Sequence, residues 1–577
     1  STPKPSSAAS DVYKRQHPAG TGLPVLPPQT LSMTLGDGTR LDADVYRPAQ
    51  PGPYPVLLQR QAYGRRVACT LSYAHPAWYA AHGYIVVVQD VRGRGTSEGV
   101  FRPGEHERDD GAEAVEWAAR LPDADGQVAL YGFSYQAYNQ FLAAAGHCPS
   151  LRAIAPAMGP WDPARTWVYE NSALRMKQML GWGFQITAEA ARRAGDASAW
   201  SALQAASGAL PLGGPVTAQP ALLKTHRALS HVMDWLETPS DSPFWDGISP
   251  AAQAEAIQAK RLPTLLTGGW FDTHLASTWQ AFAQLSADNP EVHLSIGPWV
   301  HFPWVRQVGQ IDFGNEAAHD MDREHIRFFD RVLKGRGETA ARAPIELFDM
   351  GSRRWRAFEH LACGSLELSL AGHGRASIDT RDGSLRGQPA AHPGTEFVVH
   401  DPWRPAPVVG GCYGVPSGPV DRRQADERGD VVTFTTEGLE TPLDIVGCAE
   451  IDLALDCDRP SFDLSCVLSR VTADGKVFQI ASAYAHYRQL RADGRYRLAL
   501  SPTCTTLAAG ERLRLSIAGS DFPAHPVNPG TGADPVHAET TQAVITTVTL
   551  HHGGPHPSRL VLPTPAPHPL QSTGVLP

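Results

Sequence analysis

The chain has 577 residues, of which 42% are hydrophobic and 19% charged, and this balance excludes a mostly disordered protein. Its formal net charge is −9 and its Lys and Arg residues are scattered, so we expect no nucleic-acid partner. The longest apolar runs, 84–88 and 128–130, are far shorter than the roughly 20 residues of a membrane helix, and no membrane partner is expected. The length predicts two or three domains.

The first ten residues are polar and lack the apolar segment of a secretory signal, which favours a cytoplasmic location. A signal removed ahead of residue 1 is the alternative. The eight cysteines form no CxxC pair, and their dilution through a long chain favours free thiols. Six of them lie beyond residue 360, so one or two disulfides in the C-terminal region stay open.

The predicted elements begin after an extended or disordered tail, residues 1–22. Residues 31–46 alternate apolar and polar around Asp37-Gly38, which predicts a β-hairpin. Apolar residues recur at helical spacing over 105–121, which predicts a helix that ends before Pro122. Short apolar runs, several of them separated by helix-like segments, lie at 55–58, 85–88, 128–131, 154–155, 264–266 and 293–296. This alternation predicts a largely parallel sheet with helices on both faces.

Two further regions differ from this α/β pattern. Ala-rich helical segments replace the strands over 161–249, which predicts a helical cap inserted in an α/β domain of residues 23–160 and 250–340. Residues 341–553 alternate short β-rich runs with Gly, Asp and Pro turns, as in an all-β jelly-roll sandwich. The runs include 345–348, 451–455, 477–484 and 513–517. Residues 554–577, rich in Pro and His, are predicted to form an extended tail.

A Gly-x-Ser motif, Gly132-Phe133-Ser134, stands between the apolar run 128–131 and a helical stretch, 138–145. Strand, sharp turn and helix are the context of a nucleophile elbow, and backbone N–H groups at the helix N-terminus can stabilise an oxyanion. Gln136 replaces the second glycine of the Gly-x-Ser-x-Gly pattern. A serine that only caps the following helix is the alternative.

A nucleophilic serine needs an imidazole base and a carboxylate that orients the imidazole, in the chain order Ser, Asp, His for this fold. Asp272 follows the strand at 264–266 and a glycine-rich loop, and His301 follows the next strand and loop. We predict these two residues as acid and base. His274 is a competing base, ranked lower because it would lie beside the acid instead of on a separate loop.

These residues resemble the cocaine-esterase-like (CocE/NonD) hydrolases, which are related to the bacterial Xaa-Pro dipeptidyl-peptidases. The resemblance covers most of the chain and is strongest at residues 86–99, 132–135, 268–272, 297–301 and 327–335. It implies an α/β-hydrolase fold with an inserted helical cap and a C-terminal all-β jelly-roll domain. It also implies Ser134 as nucleophile, Asp272 as acid and His301 as base.

The resemblance further implies an oxyanion hole made by the hydroxyl of Tyr63, in Gln61-Ala-Tyr63-Gly64, and the backbone N–H of Tyr135. A packed aromatic at a strand end is the ordinary role of such a tyrosine. The chain departs from the family at Ala137, where members usually carry glycine. We expect this methyl group to tighten packing against the sheet without removing the chemistry.

Aromatic residues near the predicted site favour a hydrophobic acyl group, although any single one is more often core. The predicted substrate-binding set is Phe133, Trp161, Trp167, Trp270, Phe271, Trp299 and Phe302. The predicted function is hydrolysis of a small-molecule ester, or of an amide in a short peptide, through an acyl-enzyme without a metal or organic cofactor.

Three alternatives stay open: a Xaa-Pro dipeptidyl-peptidase, an α-amino acid ester hydrolase, and an inactive carbohydrate- or protein-binding protein. A homo-oligomer is also left open.

Overall fold

The computed structural model describes residues 22–66, 70–214, 216–336, 343–361, 364–555 and 557–565. The predicted N-terminal tail, except residue 22, lies outside these ranges, as do Cys69 and Cys363. In the described chain no helix has both the length and the apolar character needed to cross a bilayer.

The strands of the first part of the chain are β1 (Gln29–Thr34), β2 (Arg40–Tyr46), β3 (Tyr54–Gln61), β4 (Ile85–Asp90), β5 (Ala124–Phe133), β6 (Leu151–Ala157), β7 (Tyr169–Glu170), β8 (Ala173–Leu174), β9 (Thr264–Phe271), β10 (Val292–Val300), β11 (Gln307–Val308), β12 (Ile311–Asp312), β13 (Ile345–Asp349) and β14 (Arg354–Phe358). The main sheet has the order β1-β2-β4-β3-β5-β6-β9-β10-β13-β14. From β4 to β13 neighbouring strands are parallel. The antiparallel hairpin of β1 and β2 confirms the Asp-Gly prediction, with Gly38 at a φ of +87°.

The helices are α1 (Pro76–Ala81), α2 (Glu107–Ala119), α3 (Tyr135–Ala145), α4 (Met176–Arg193), α5 (Ala197–Gly208), α6 (Ala221–Thr225), α7 (Val232–Glu237), α8 (Phe244–Gly247), α9 (Ala254–Gln258), α10 (Leu275–Leu285), α11 (Met321–Lys334) and α12 (Arg423–Asp426). Helices α1 and α11 pack on one face of the main sheet, and α2, α3, α9 and α10 pack on the other. Because both faces are covered, the central strands are buried along their length, as β4 shows with every residue buried.

Helices α4 to α8 form the inserted cap, whose own core contains Met179, Phe184, Trp235 and Trp245. The longest of them, α4, carries apolar residues on one face, and its opposite face borders the cavity described below. These helices lie between β8 and β9 in the chain, and α4 contributes one wall of that cavity.

The C-terminal β-sandwich contains β15 (Gly364–Ala371), β16 (Ser384–Arg386), β17 (Gly394–His400), β18 (Val431–Thr435), β19 (Leu443–Cys457), β20 (Phe462–Val471), β21 (Val477–Tyr487), β22 (Arg495–Leu507), β23 (Arg512–Ala518), β24 (Thr546–His552) and β25 (Arg559–Thr564). Nearly all of its pairings are antiparallel, and β22 pairs with β19 outside the main strand path. These elements confirm the predicted fold class, an α/β-hydrolase with a cap and an all-β jelly-roll domain.

Two segments belong to a different part of the fold from the one predicted. Residues 345–348, assigned to the sandwich by sequence, lie in β13, which pairs in parallel with β10 of the main sheet. Residues 559–564, assigned to the extended tail, form β25, which pairs with β15 and β19. Cys412, Cys457, Cys466 and Cys504 are free thiols in the described chain, so none of these four forms the C-terminal disulfide that sequence left open.

Candidate active site

Ser134 lies on the sharp turn between β5 and α3, with φ +62° and ψ −122°. A non-glycine residue held at positive φ is strained, as in a nucleophile elbow. Glycines on both sides allow the turn: a Cβ at Gly132 would lie 2.5 Å from Gln136 Cβ, and one at Gly159 would lie 2.4 Å from Ala137 Cβ. The Ala137 methyl group therefore packs into space left by Gly159.

The structure brings together Ser134, His301 and Asp272. Ser134 Oγ lies 3.0 Å from His301 Nε2, and His301 Nδ1 lies 2.6 Å from Asp272 Oδ1. The Asp272 side chain is fully buried, and its other oxygen accepts a hydrogen bond from the backbone N–H of His274 at 3.0 Å. Because the carboxylate is fixed at both oxygens, it holds the imidazole with Nε2 facing the serine.

Tyr63 lies beside this group, and its phenol borders the same cavity as Ser134 and His301. The indole Nε1 of Trp182 on α4 donates to the same phenol oxygen at 3.2 Å. Burial raises the pKa of Tyr63 above 10, against the opposing effects of Trp182 and the buried Arg94. The phenol is therefore protonated at neutral pH and can donate its proton in a hydrogen bond.

The side chain of Tyr135 points away from the reaction centre, since its hydroxyl donates to Glu107 Oε1 at 2.8 Å. Its backbone N–H is the first of α3. The intrahelical bonds begin two residues later, where Ala137 and Tyr138 donate to the Ser134 carbonyl. The N–H of Tyr135 thus adjoins the serine at a helix N-terminus, where a developing negative charge is stabilised.

His274, the competing base, does not contact the serine in the described chain. Its ring lies 5.4 Å from that of His301, and its Nε2 lies 3.3 Å from Gln178 Nε2. Burial holds the pKa of His274 well below 6.5, with further contributions from His301 and Arg175. The ring is neutral at neutral pH, so it adds no positive charge beside His301.

A cavity of about 710 Å³ opens above Ser134 and contains three of the seven predicted substrate-binding aromatics, Phe133, Trp167 and Phe302. The other four predicted aromatics do not border this cavity. Trp161 and Trp299 are fully buried core residues whose Nε1 groups bond Gln284 Oε1 and the Ala317 carbonyl. Trp270 and Phe271 border a neighbouring cavity of about 270 Å³ between the α/β domain and the sandwich.

Two groups of cavity residues were missed by sequence reasoning. One comes from α4 and includes Lys177, Gln178, Gly181 and Gln185. Their spacing of about one helical turn is a sequence signal for a shared face, although it does not tell what that face contacts. The other comes from the sandwich, residues 412–415 and 417, whose position depends on the packing of a separate domain.

The comparisons with known proteins agree with this organisation. The model of the X-Pro dipeptidyl-peptidase (S15 family) matches residues 37–303, and that of the X-Pro dipeptidyl-peptidase C-terminal non-catalytic domain matches 340–561. A cocaine esterase from Rhodococcus sp. is 30% identical over 564 residues, which cover 92% of this chain and 97% of the relative.

Two solved structures share the whole fold. An aminopeptidase from a marine-sediment Thaumarchaeota archaeon has a TM-score of 0.76 at 20% identity, over 94% of this chain and 96% of its own. An α-amino acid ester hydrolase has a TM-score of 0.74 at 20% identity, over 95% and 98%.

Fold, site and relatives together define a serine hydrolase. More particularly, the chain belongs to the cocaine-esterase-like (CocE/NonD) family, which is related to the bacterial Xaa-Pro dipeptidyl-peptidases.

Proposed function

We propose that this serine hydrolase cleaves esters of a hydrophobic acyl group, with Ser134 as nucleophile, His301 as general base and Asp272 as the orienting acid. The observation that carries the proposal is the continuous chain of contacts from Ser134 Oγ to His301 Nε2 at 3.0 Å and from His301 Nδ1 to Asp272 Oδ1 at 2.6 Å. The strained backbone of Ser134 supports it, since such strain is concentrated at functional sites.

In the first half of the reaction, His301 Nε2 takes the hydroxyl proton as Ser134 Oγ attacks the ester carbonyl carbon. The Tyr63 hydroxyl and the Tyr135 N–H donate to the resulting oxyanion. The imidazolium then gives its proton to the departing alkoxide, leaving an acyl-enzyme. In the second half, His301 takes a proton from water, the hydroxide attacks the acyl carbon, and Ser134 regains its proton as the acid leaves.

The cavity favours an ester without a free α-amino group. A dipeptidyl-peptidase or an α-amino acid ester hydrolase has to bind an ammonium group, which calls for a carboxylate or another acceptor. Among the described residues that border the cavity none is Asp or Glu, and Lys177 adds a positive charge. Phe133, Trp167 and Phe302 supply apolar surface for an acyl chain.

The test is hydrolysis of 4-nitrophenyl acetate, butanoate, hexanoate and benzoate beside Gly-Pro and Ala-Pro 4-nitroanilides. Ser134→Ala is expected to lower ester turnover by roughly 10³- to 10⁶-fold, because no other group replaces the nucleophile. Ser201→Ala, an exposed serine on α5, is the matched control and is expected to keep full activity.

The remaining outcomes distinguish the alternatives. Anilide turnover without ester turnover would identify a peptidase. Silence on all substrates, with no labelling of Ser134 by a fluorophosphonate probe, would contradict the proposed function and favour a binding protein.

A further inference from the structure

One wall of the active-site cavity presents hydrogen-bond donors and consists of Lys177, Gln178 and His274, which we name the donor wall. Lys177 and Gln178 lie in the first turn of α4, and His274 immediately precedes α10. No step of the proposed ester hydrolysis uses these side chains.

His274 contributes an N–H that lacks an acceptor. Gln178 Nε2 donates to His274 Nε2 at 3.3 Å, and to Thr273 Oγ1 at 3.2 Å, so the neutral imidazole carries its proton on Nδ1. The residue is 3% exposed, and its Nδ1 has no hydrogen-bond partner among the described residues. A buried donor without an acceptor is costly, and because His274 borders the cavity, a ligand oxygen that reached this N–H would satisfy it.

Lys177 contributes a positive charge that lacks a counter-ion. Its half-buried ammonium group donates to the backbone carbonyl of Tyr413 in the sandwich. In the described part of the chain no carboxylate lies within ion-pair distance of it, and burial lowers its pKa below 10.5 without an opposing charge. A partly desolvated cation of this kind is stabilised by an anion.

We propose that the substrate is an ester whose acyl chain ends in a carboxylate, and that Lys177 and His274 bind this carboxylate. The inference rests on the proposed function and specifies its substrate class. The Trp182 indole contacts the Tyr63 hydroxyl, and Lys177 lies five residues earlier on the same helix, an axial rise of about 7.5 Å. A short methylene chain from the ester carbonyl spans such a separation, along the apolar part of the cavity.

The experiment compares kcat/KM for 4-nitrophenyl hydrogen adipate and 4-nitrophenyl hexanoate, after subtraction of the uncatalysed rates. Both acyl groups have six carbons. They differ at the far end, which is a carboxylate in the adipate and a methyl group in the hexanoate. We expect the wild type to prefer the adipate half-ester by about tenfold or more, as for a charge-assisted hydrogen bond in a partly buried site.

Lys177→Met is expected to remove the preference, and Lys177→Arg, which keeps the charge, to retain most of it. Lys224→Met makes the same chemical change on an exposed cap residue and should leave the preference intact. Equal kcat/KM on both esters in the wild type, or a preference that survives in Lys177→Met, would overturn the inference. A failure of the proposed function itself would be recognised separately, because hexanoate turnover would then be the same in the wild type and in Ser134→Ala.

Discussion

At the scale of single residues, Tyr63 connects the cap to the reaction centre. Its hydroxyl accepts a hydrogen bond from Trp182 and borders the cavity above Ser134, so in the proposed mechanism its own proton is available to the oxyanion. Because burial raises the pKa of the phenol, the group remains a donor across the neutral and mildly alkaline range.

Tyr63→Phe is therefore expected to lower kcat by about 10²- to 10³-fold with a much smaller change in KM, since the lost hydrogen bond belongs to the transition state. Steady-state kinetics on 4-nitrophenyl hexanoate measure this. Tyr54→Phe, which removes a hydroxyl at the rim of the sheet, is the control. A variant of Tyr63 with wild-type kcat would exclude the hydroxyl from the oxyanion hole.

At the scale of elements, the position of Ser134 depends on the close approach of α3 to the chain after β6. A Cβ on Gly159 would lie 2.4 Å from Ala137 Cβ and 3.0 Å from the Ser134 carbonyl oxygen. The turn that holds Ser134, the proposed nucleophile, is thus sterically coupled to the packing of α3.

Gly159→Ala is expected to lower the free energy of unfolding by about 1–3 kcal/mol through overpacking, and to lower kcat/KM because α3 has to shift. Adding Ala137→Gly removes one of the two clashing methyl groups and should recover part of the lost activity. Denaturant unfolding and ester kinetics on the single and double variants check this. Gly208→Ala, where a Cβ meets open space, is the control. Full activity in Gly159→Ala would contradict the steric account.

At the scale of the whole molecule, the sandwich contacts the main sheet through Asp349, at the end of β13, the strand next to the edge strand β14. Asp349 is fully buried and accepts hydrogen bonds from the Thr506 backbone N–H at 2.9 Å and from Arg356 Nη1 at 3.1 Å. The same sandwich supplies residues 412–415 and 417 of the active-site cavity. Attachment of the sandwich therefore affects the shape of the site.

Asp349→Ala is expected to cost about 3 kcal/mol in unfolding free energy, because buried partners lose their acceptor. Asp444→Ala, which removes the more exposed second partner of Arg356, should cost less than 1 kcal/mol. Hydrogen bonds from Thr506 and Ser352 lower the pKa of Asp349 below 3.8, against the opposing effect of burial. Its contribution is thus present above that value and is lost as the pH falls through the folded-state pKa. Equal unfolding midpoints for both variants at neutral pH would contradict this role.

What the sequence by itself determined is local. The apolar runs that became β3 to β6, β9 and β10, the hairpin at Asp37-Gly38 and the strand, turn and helix around Ser134 depend on neighbouring residues alone. The chain order Ser134, Asp272, His301 identified the three residues that the fold brings together. In these parts of the chain, residue type and spacing determine the local structure.

Only the tertiary structure decided which elements meet. A β-rich run indicates a strand but not its sheet, so residues 345–348 were assigned to the sandwich instead of the main sheet. Residues 559–564 were assigned to the tail, although they pair with β15. An aromatic residue near a catalytic loop faces either the core or the cavity, and Trp161 and Trp299 face the core. The donor wall and the 412–417 segment reach the site from the cap and the sandwich. Their positions depend on packing between segments far apart in the chain, which local periodicity does not encode.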